Sequence, residues 1–198
     1  MSDLALSTLV IDKFNGIPPD LVNMKDFWKH SIACGIVAQS FSRYWDRSGH
    51  HRSYIAGMLH DIGSLVIYPE IPEDARKVLR VCEETESHLH EVERELLGFD
   101  HTDVGSVLLK EWGLPNSFVE AAAYHHKPLK ARNFPLDAAI IHVADSLVHK
   151  ANIGNSGESA GPEIEPKIHE KFGLEENLFK KLEKTVKGKL DEVMQMFS

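Results

Sequence analysis

Basic residues are scarce beside acidic ones in this chain. Lys and Arg number 22 against 30 Asp and Glu, a formal net charge of −8 over 198 residues. Non-specific binding to DNA or RNA requires a basic face, so no DNA partner is expected. A small anionic ligand stays compatible with this charge, because bound metal ions can dominate the local field. Cysteine is nearly absent, with only Cys34 and Cys82. They lack a CxxC spacing and sit among apolar residues, as small core residues of a reducing compartment do; a disulfide between them is the less favoured reading. No apolar run approaches the roughly 20 residues of a membrane span. The opening Met-Ser-Asp-Leu-Ala-Leu carries no basic stretch of the kind that begins a secretory signal. A soluble, cytoplasmic protein with no membrane partner is therefore expected.

What is present is ordinary for a globular chain: 42% apolar and 26% charged residues. A chain of this length can form one domain, residues 1–198, that buries roughly 70% of its unfolded surface without disulfides or structural metal. Apolar–polar alternation is missing, whereas apolar residues recur at helical spacing. The pattern predicts an all-α bundle. Helices are expected over residues 4–14, 24–45 with Asn23 as N-cap, 54–60, 73–97 (as one or two), 100 or 101 to 112, 117–126 capped by Asn116, 136–150 and 175–197. Breaks are expected at Gly16 to Pro19, at Ser48-Gly49, at Pro69 and Pro72, at Gly98 and at Gly113 to Pro115. Residues 127–135 read as a loop. The stretch 151–166, with Gly154, Gly157, Gly161, Pro162 and Pro166, reads as a flexible loop.

Seven groups carry the chemistry. They are His30, the His60-Asp61 pair within Leu59-His60-Asp61-Ile62-Gly63, His101, the His125-His126 pair and Asp145. All are imidazoles or carboxylates, which bind divalent first-row metals well. Adjacent helical residues point about 100° apart. His60-Asp61 can therefore flank one ion with the carboxylate free to bridge to a second, and His125 and His126 can face different ions. Asp145 ends Ile140-Ile141-His142-Val143-Ala144-Asp145, where a lone carboxylate is costly to bury unless paired or metal-bound. Asp26 shares a helix face with His30. It is either a further ligand or an acidic residue in a helix's first turn. Lys127, Lys130 and Arg132 would meet a phosphate beside the paired histidines, or form a solvated loop. His142 is expected behind the ligands or in the core. His50 and His51 are expected in a solvated loop, and His88, His90, His149 and His169 on the surface. Trp28 and Trp112 read as core anchors. The competing view of the whole set is a degenerate site of buried, hydrogen-bonded histidines.

Several segments match a known pattern in order: Phe27-Trp28-Lys29-His30-Ser31, Met58-Leu59-His60-Asp61-Ile62-Gly63, Gly98-Phe99-Asp100-His101 with Val104-Gly105, Trp112-Gly113-Leu114-Pro115 and Tyr124-His125-His126. Together they resemble the HDOD domains of bacterial signalling proteins, within the HD superfamily of metal-dependent phosphohydrolases. The HD-GYP cyclic-di-GMP phosphodiesterases are a second likeness. The resemblance implies an HD-domain, phosphodiesterase-like multi-helix bundle. It implies His30, His60, Asp61 and Asp145 as ligands of a first ion and His101, His125 and His126 as ligands of a second. Asp61 would bridge the two and orient metal-bound water toward a phosphoester. Asp26 stands where related dinuclear enzymes place an extra carboxylate. With no thiolate in the set, Fe, Mn, Co, Ni, Zn and Mg all stay open, the histidines leaning away from Mg and Ca. HDOD domains usually carry a further helical segment upstream, so residues 1–22 are expected to be its remnant or a link to it.

Two departures bear on the substrate. HD-GYP enzymes follow the HD pair with Gly-Lys, whereas Ser64 stands here. They follow the paired histidines with a glutamate and a GYP loop, whereas this chain continues Lys127-Pro128-Leu129-Lys130-Ala131-Arg132. Cyclic-di-GMP is therefore not the expected substrate. The expectation is a signal-transduction output domain with a dinuclear metal site that hydrolyses a nucleotide or other phosphoester. The alternatives are a non-catalytic module that binds a signalling protein or nucleotide, with metal structural or absent, and a purely structural helical domain.

Overall fold

Asn23 opens the longest of the described helices. Its Oδ1 accepts from the main-chain N–H of Lys25 at 3.0 Å and of Asp26 at 3.3 Å, satisfying two of the donors a helix start leaves orphaned. The helix, α1, runs Met24–Trp45, the bounds expected from its pattern. The computed structural model describes Phe14 and residues 17–45, 50–158, 160–174 and 176–194. The helix expected over residues 4–14, apart from Phe14, and the break at Ser48-Gly49 lie outside the described residues.

α2 (His50–Leu59) packs along α1. It stops one residue before His60, so the His60-Asp61 pair occupies a tight turn rather than a helix. That turn is closed by Ile62 N–H to Leu59 O at 3.1 Å and Ser64 N–H to Asp61 O at 3.0 Å. α3 (Ser64–Glu70) follows and contains Pro69, which does not interrupt it as expected. Pro69 sits in the last turn, and Pro72 takes the first turn of α4 (Pro72–Thr85), where its missing N–H leaves nothing unsatisfied.

The 73–97 stretch forms two helices. Glu86 adopts a left-handed conformation (φ 54°) between α4 and α5 (Leu89–Leu97), and Gly98 (φ 82°) ends α5. Asp100 then caps α6 (His101–Glu111) through a reciprocal box with Asp103. α6 abuts the His60-Asp61 turn because residue 63 is glycine. A Cβ there would strike the His101 carbonyl oxygen and come within 2.6 Å of Gly105 N.

α7 (Asn116–Tyr124) begins at the residue expected to cap it, with Pro115 in the cap position. It ends before His125, leaving both paired histidines in a turn. A short 3-10 segment, Pro128–Lys130, lies within the expected loop. α8 (Pro135–Lys150) is buried from Ala138 to Ser146. α9 (Pro166–Phe172) and α10 (Glu176–Met194) complete the bundle.

α1, α2 and α8 pack against one another, α7 against α8, and α10 along α1. This is the main core; Val78, Cys82, Leu89 and Val92 form a smaller cluster between α4 and α5. Cys34 and Cys82 are buried free thiols. Trp28 is a core residue, but Trp112 is 38% exposed at the end of α6, where its ring meets that of Phe14. Among the described residues there is no strand. No described helix is long and apolar enough to cross a membrane.

Candidate metal centre

α1, the turn after α2 and α8 bring three distant parts of the chain to one buried point. His30 Nε2 lies 3.2 Å from Asp145 Oδ1 and 3.7 Å from Asp61 Oδ2. His60 Nε2 lies 3.1 Å from Asp61 Oδ2 and 3.7 Å from Asp145 Oδ1. The other oxygen of Asp61 faces elsewhere. Its Oδ1 is 3.4 Å from His125 Nε2 and 3.6 Å from His101 Nε2. His101 Nε2 is in turn 3.0 Å from His126 Nε2. The carboxylate of Asp61 thus stands between two groups, His30/His60/Asp145 and His101/His125/His126. Two atoms each about 2.1 Å from one ion, at right-angle to tetrahedral geometry, lie about 3.0–3.4 Å apart. The observed spacings match that range or slightly exceed it.

The ring tautomers are set from behind. His60 Nδ1–H donates to Gly57 O at 2.7 Å, and His125 Nδ1–H to Ala122 O at 2.9 Å. With Nδ1 protonated, a neutral ring turns the lone pair of Nε2 toward the carboxylates. His60 Nε2, His125 Nε2 and Asp145 Oδ1 are buried without a hydrogen-bond partner. Orphaned buried polar atoms cost about 1–3 kcal/mol each, and an ion among them is one resolution. Metal-binding histidines are held in this way, by a hydrogen bond from the other ring nitrogen. The donor set of imidazole and carboxylate therefore fits a divalent first-row ion.

Electrostatics point the same way. Burial opposes charge on His60, but the Asp61 and Asp145 carboxylates outweigh it and raise its pKa well above the ordinary value. Burial likewise opposes charge on His101, while Glu93 and Asp61 bring it up to about 10. Burial would raise the pKa of Asp61 and Asp145, yet the surrounding histidines hold both well below the carboxylate range. His126 is the opposite case: burial first, then the neighbouring His125, His101 and His90, push its pKa well below the ordinary value.

Asp26 is half-buried and does not join the converging atoms. Its main-chain oxygen accepts from Asn155 N–H at 3.1 Å, and the residue lines a cavity of about 360 Å³ with Asn155, Gly157 and Glu158. The three basic residues part company. Lys127 lines a cavity of about 240 Å³ with His88, His90 and His126, whereas Lys130 and Arg132 line a separate one of about 460 Å³ with Glu120, Tyr124 and Asn133. Ser64 is buried, so its side chain does not reach solvent beside the site. His142 is satisfied at both nitrogens, donating from Nδ1 to His125 O at 2.7 Å and accepting from Glu165 N–H at 2.9 Å. It holds the His125 turn rather than an ion.

Other neighbours were not anticipated. Glu93 is buried and takes the Nδ1–H of His101 at 2.6 Å. His90, expected on the surface, is 7% exposed and stacks on His126 at 4.1 Å. His149, also expected on the surface, has its Nε2 3.6 Å from Asp145 Oδ1. Burial opposes its charge, but Glu158 and Asp145 carry its pKa to about 9. His88 is half-buried and His169 is exposed; His50 and His51 open α2 instead of lying in the expected loop, and their side chains lie outside the described residues. Cys34 places its sulfur 3.5 Å from His30 Nε2, one turn along α1. Signals existed for some of these: His149 follows Asp145 by four residues, Cys34 follows His30 by four, and Glu93 follows His90 by three.

Between α8 and α9, residues 152–158 and 160–165 cross the centre as a strap. Asn155 N–H reaches α1, Ser156 O accepts from Tyr68 Oη–H at 2.9 Å, and Ala160 O lies 3.2 Å from His88 Nδ1. Gly154 (φ 69°) lies so close to α1 that a Cβ would strike Asp26 O and His30 N. The strap delivers Glu158, buried at 5% exposure, to His149 and His126. Composition alone suggested a flexible loop; these anchors come from residues distant in sequence.

The HDOD domain family matches residues 1–128, which include every member of the site up to His126 but not Asp145 or the strap. An uncharacterised protein of Treponema pallidum (strain Nichols) is 25% identical over 103 residues, 52% of this chain and 20% of that protein. A solved structure of a candidate signal transduction protein from Marinobacter aquaeolei VT8 gives a TM-score of 0.78 at 20% identity, covering 98% of this chain and 43% of that one. An HDOD domain protein of unknown function from Geobacter sulfurreducens gives 0.74 at 22% identity, covering 96% and 66%. At such identities the likeness establishes the fold. The chain spans one fifth of the curated relative's length and under half of the Marinobacter chain.

Proposed function

Because this chain belongs to the HDOD domain family, we propose that it is a bacterial signal-transduction domain whose His/Asp cluster binds two divalent ions and hydrolyses a nucleotide or similar phosphoester. The observation that carries this reading is the split of Asp61, with Oδ2 facing His30 and His60 and Oδ1 facing His101 and His125. His30, His60, Asp61 and Asp145 would hold one ion, and Asp61, His101, His125 and His126 the other. Bound ions supply Lewis-acid charge for a phosphoryl oxygen and make water more acidic. The chain's own contributions are position and exclusion. Gly57 O and Ala122 O fix the rings of His60 and His125, Glu93 fixes His101, and burial keeps bulk water from the carboxylates. Lys127, exposed beside His126, offers a cation to an incoming phosphate. Ser64 offers no such group, so cyclic-di-GMP is not the favoured substrate. The whole chain acts in this reading as one helical domain.

The Glu158 carboxylate over the cluster favours a second reading, a regulatory module in which metal binds without turnover. Elemental analysis of the purified protein tests the first step: we expect divalent metal in the wild type and its loss on His60→Ala with Asp61→Ala. No metal above background, even after manganese is supplied, ends the proposal. A panel of nucleotide phosphoesters with manganese or iron then separates the two readings; bound metal with no turnover selects the regulatory one.

A further inference from the structure

Glu158 is a loop carboxylate buried to 5% exposure, 13 residues past Asp145 and outside the set that would hold the two ions. Its inward aim is set locally. Asn155 accepts from Gly157 N–H at 2.6 Å through Oδ1 and donates through Nδ2 to Glu158 O at 3.1 Å. The strap does not need this burial to close, since Asn155, Ser156 and Glu165 already tie it to α1, α3 and α8. Glu158 Oε2 lies 3.0 Å from His149 Nε2, which lies 3.6 Å from Asp145 Oδ1. Glu158 Oε1 is buried without a hydrogen-bond partner, while its Oε2 faces His149 as an ion pair. Ligand atoms of the three residues lie within 4.8 Å of one another. An ionised carboxylate is costly to bury unless a cation or several hydrogen bonds meet it.

We propose that Asp145, His149 and Glu158 hold a further divalent cation, contiguous with the His30/His60/Asp61 group through the shared Asp145. This site rests on the metal-centre reading above. One imidazole and two carboxylates suit a first-row ion such as Mn²⁺ better than Ca²⁺. Because Glu158 comes from the strap and the other two donors from α8, the ion fastens the strap across the centre. Metal occupancy and strap mobility are then linked.

The test uses the full chain, Mn²⁺ as the only added ion, and the variants Glu158→Gln and His149→Gln, each close in volume to the residue replaced. Bound manganese is counted after gel filtration, and amide hydrogen exchange is followed over residues 152–165. Each variant is expected to bind about one Mn²⁺ fewer than the wild type. Exchange in the strap should slow on adding Mn²⁺ to the wild type and stay unchanged in the variants. Circular dichroism with the wild-type melting profile checks that both variants fold, and either variant suffices. Equal manganese counts in the wild type and both variants overturn the site, leaving His149 as a protonated bridge between two carboxylates. In that outcome the two-ion centre survives. A wild type that binds no manganese removes both.

Discussion

Glu93 holds His101 at two points. Its Oε2 accepts from the His101 main-chain N–H at 2.8 Å and from the ring Nδ1–H at 2.6 Å. Both residues are 1% exposed. The first contact fixes where α6 begins, and the second fixes which nitrogen of His101 faces Asp61.

Glu93→Ala should therefore act on stability and on metal binding together. Breaking a buried pair by deleting one partner costs about 3–5 kcal/mol. Loss of the hydrogen bond behind a metal-binding histidine weakens affinity about 10–100-fold. Denaturant unfolding and manganese titration measure the two effects. Wild-type metal affinity in a folded Glu93→Ala protein would remove His101 from the ligand set.

The pH response follows from the raised histidines. His101 titrates at about 10 and His149 at about 9, above the ordinary 6.5. Such groups stabilise the fold fully below their unfolded value, and the contribution is lost as pH rises through the folded one. Asp61 and Asp145, held below 3.8, act at the other end: their contribution is present above 3.8 and lost as pH falls through their folded values. The metal-free protein should melt highest between about pH 3.8 and 6.5, and its Tm should fall as pH climbs from about 6.5 to about 9 to 10. Metal ligation needs the deprotonated imidazole, so manganese should reverse the alkaline fall and release protons on binding. Melting curves with chelator and with manganese, and calorimetry in buffers of different ionisation enthalpy, provide the check. A metal-free Tm that stays level through the alkaline range would contradict the charge assignment.

Gly63→Ala should damage the centre through its frame. The added methyl meets the main chain of His101 and Gly105, which cannot swing away as a side chain would. Overpacking of this kind costs about 1–3 kcal/mol or more. The separation of α6 from the His60-Asp61 turn should also loosen the Asp61–His101 contact. A drop in Tm with weaker manganese binding is expected, whereas an unchanged Tm would mean that the two segments do not abut.

Lys127→Ala should weaken capture of inorganic phosphate or a phosphoester by about tenfold or more, the value of a charged hydrogen bond. Lys130→Ala and Arg132→Ala, on a different cavity, should change it by no more than about twofold, as surface charges do. Phosphate binding by calorimetry distinguishes them. A larger effect at Arg132 than at Lys127 would place the phosphate entrance in the other cavity.

Helix content was legible because it is written locally. Asn23 next to an apolar stripe, Gly98 after Leu97 and Asp100 three residues before Asp103 each encode a boundary within a few residues of itself. Boundaries blurred where a tertiary contact competes, as at the turn carrying His60 and Asp61, which α6 packs against through Gly63. The ordered histidines and aspartates were legible as a set because their chemistry sets them apart from neighbouring apolar residues. His90 and His149 read as surface because spacing shows that they share a helix face with Glu93 and Asp145, but not that distant elements bury that face.

By itself, the sequence determined an acidic helical bundle with seven metal-type side chains in HDOD order, since periodicity, caps and residue chemistry are properties of neighbouring positions. Only the tertiary structure decided that Asp61 divides its two oxygens between two histidine groups, that Lys127 parts from Lys130 and Arg132, and that Glu158 enters the cluster. The reason is physical: which oxygen faces which ring, and where an aperiodic strap lands, depend on how distant helices close on one another.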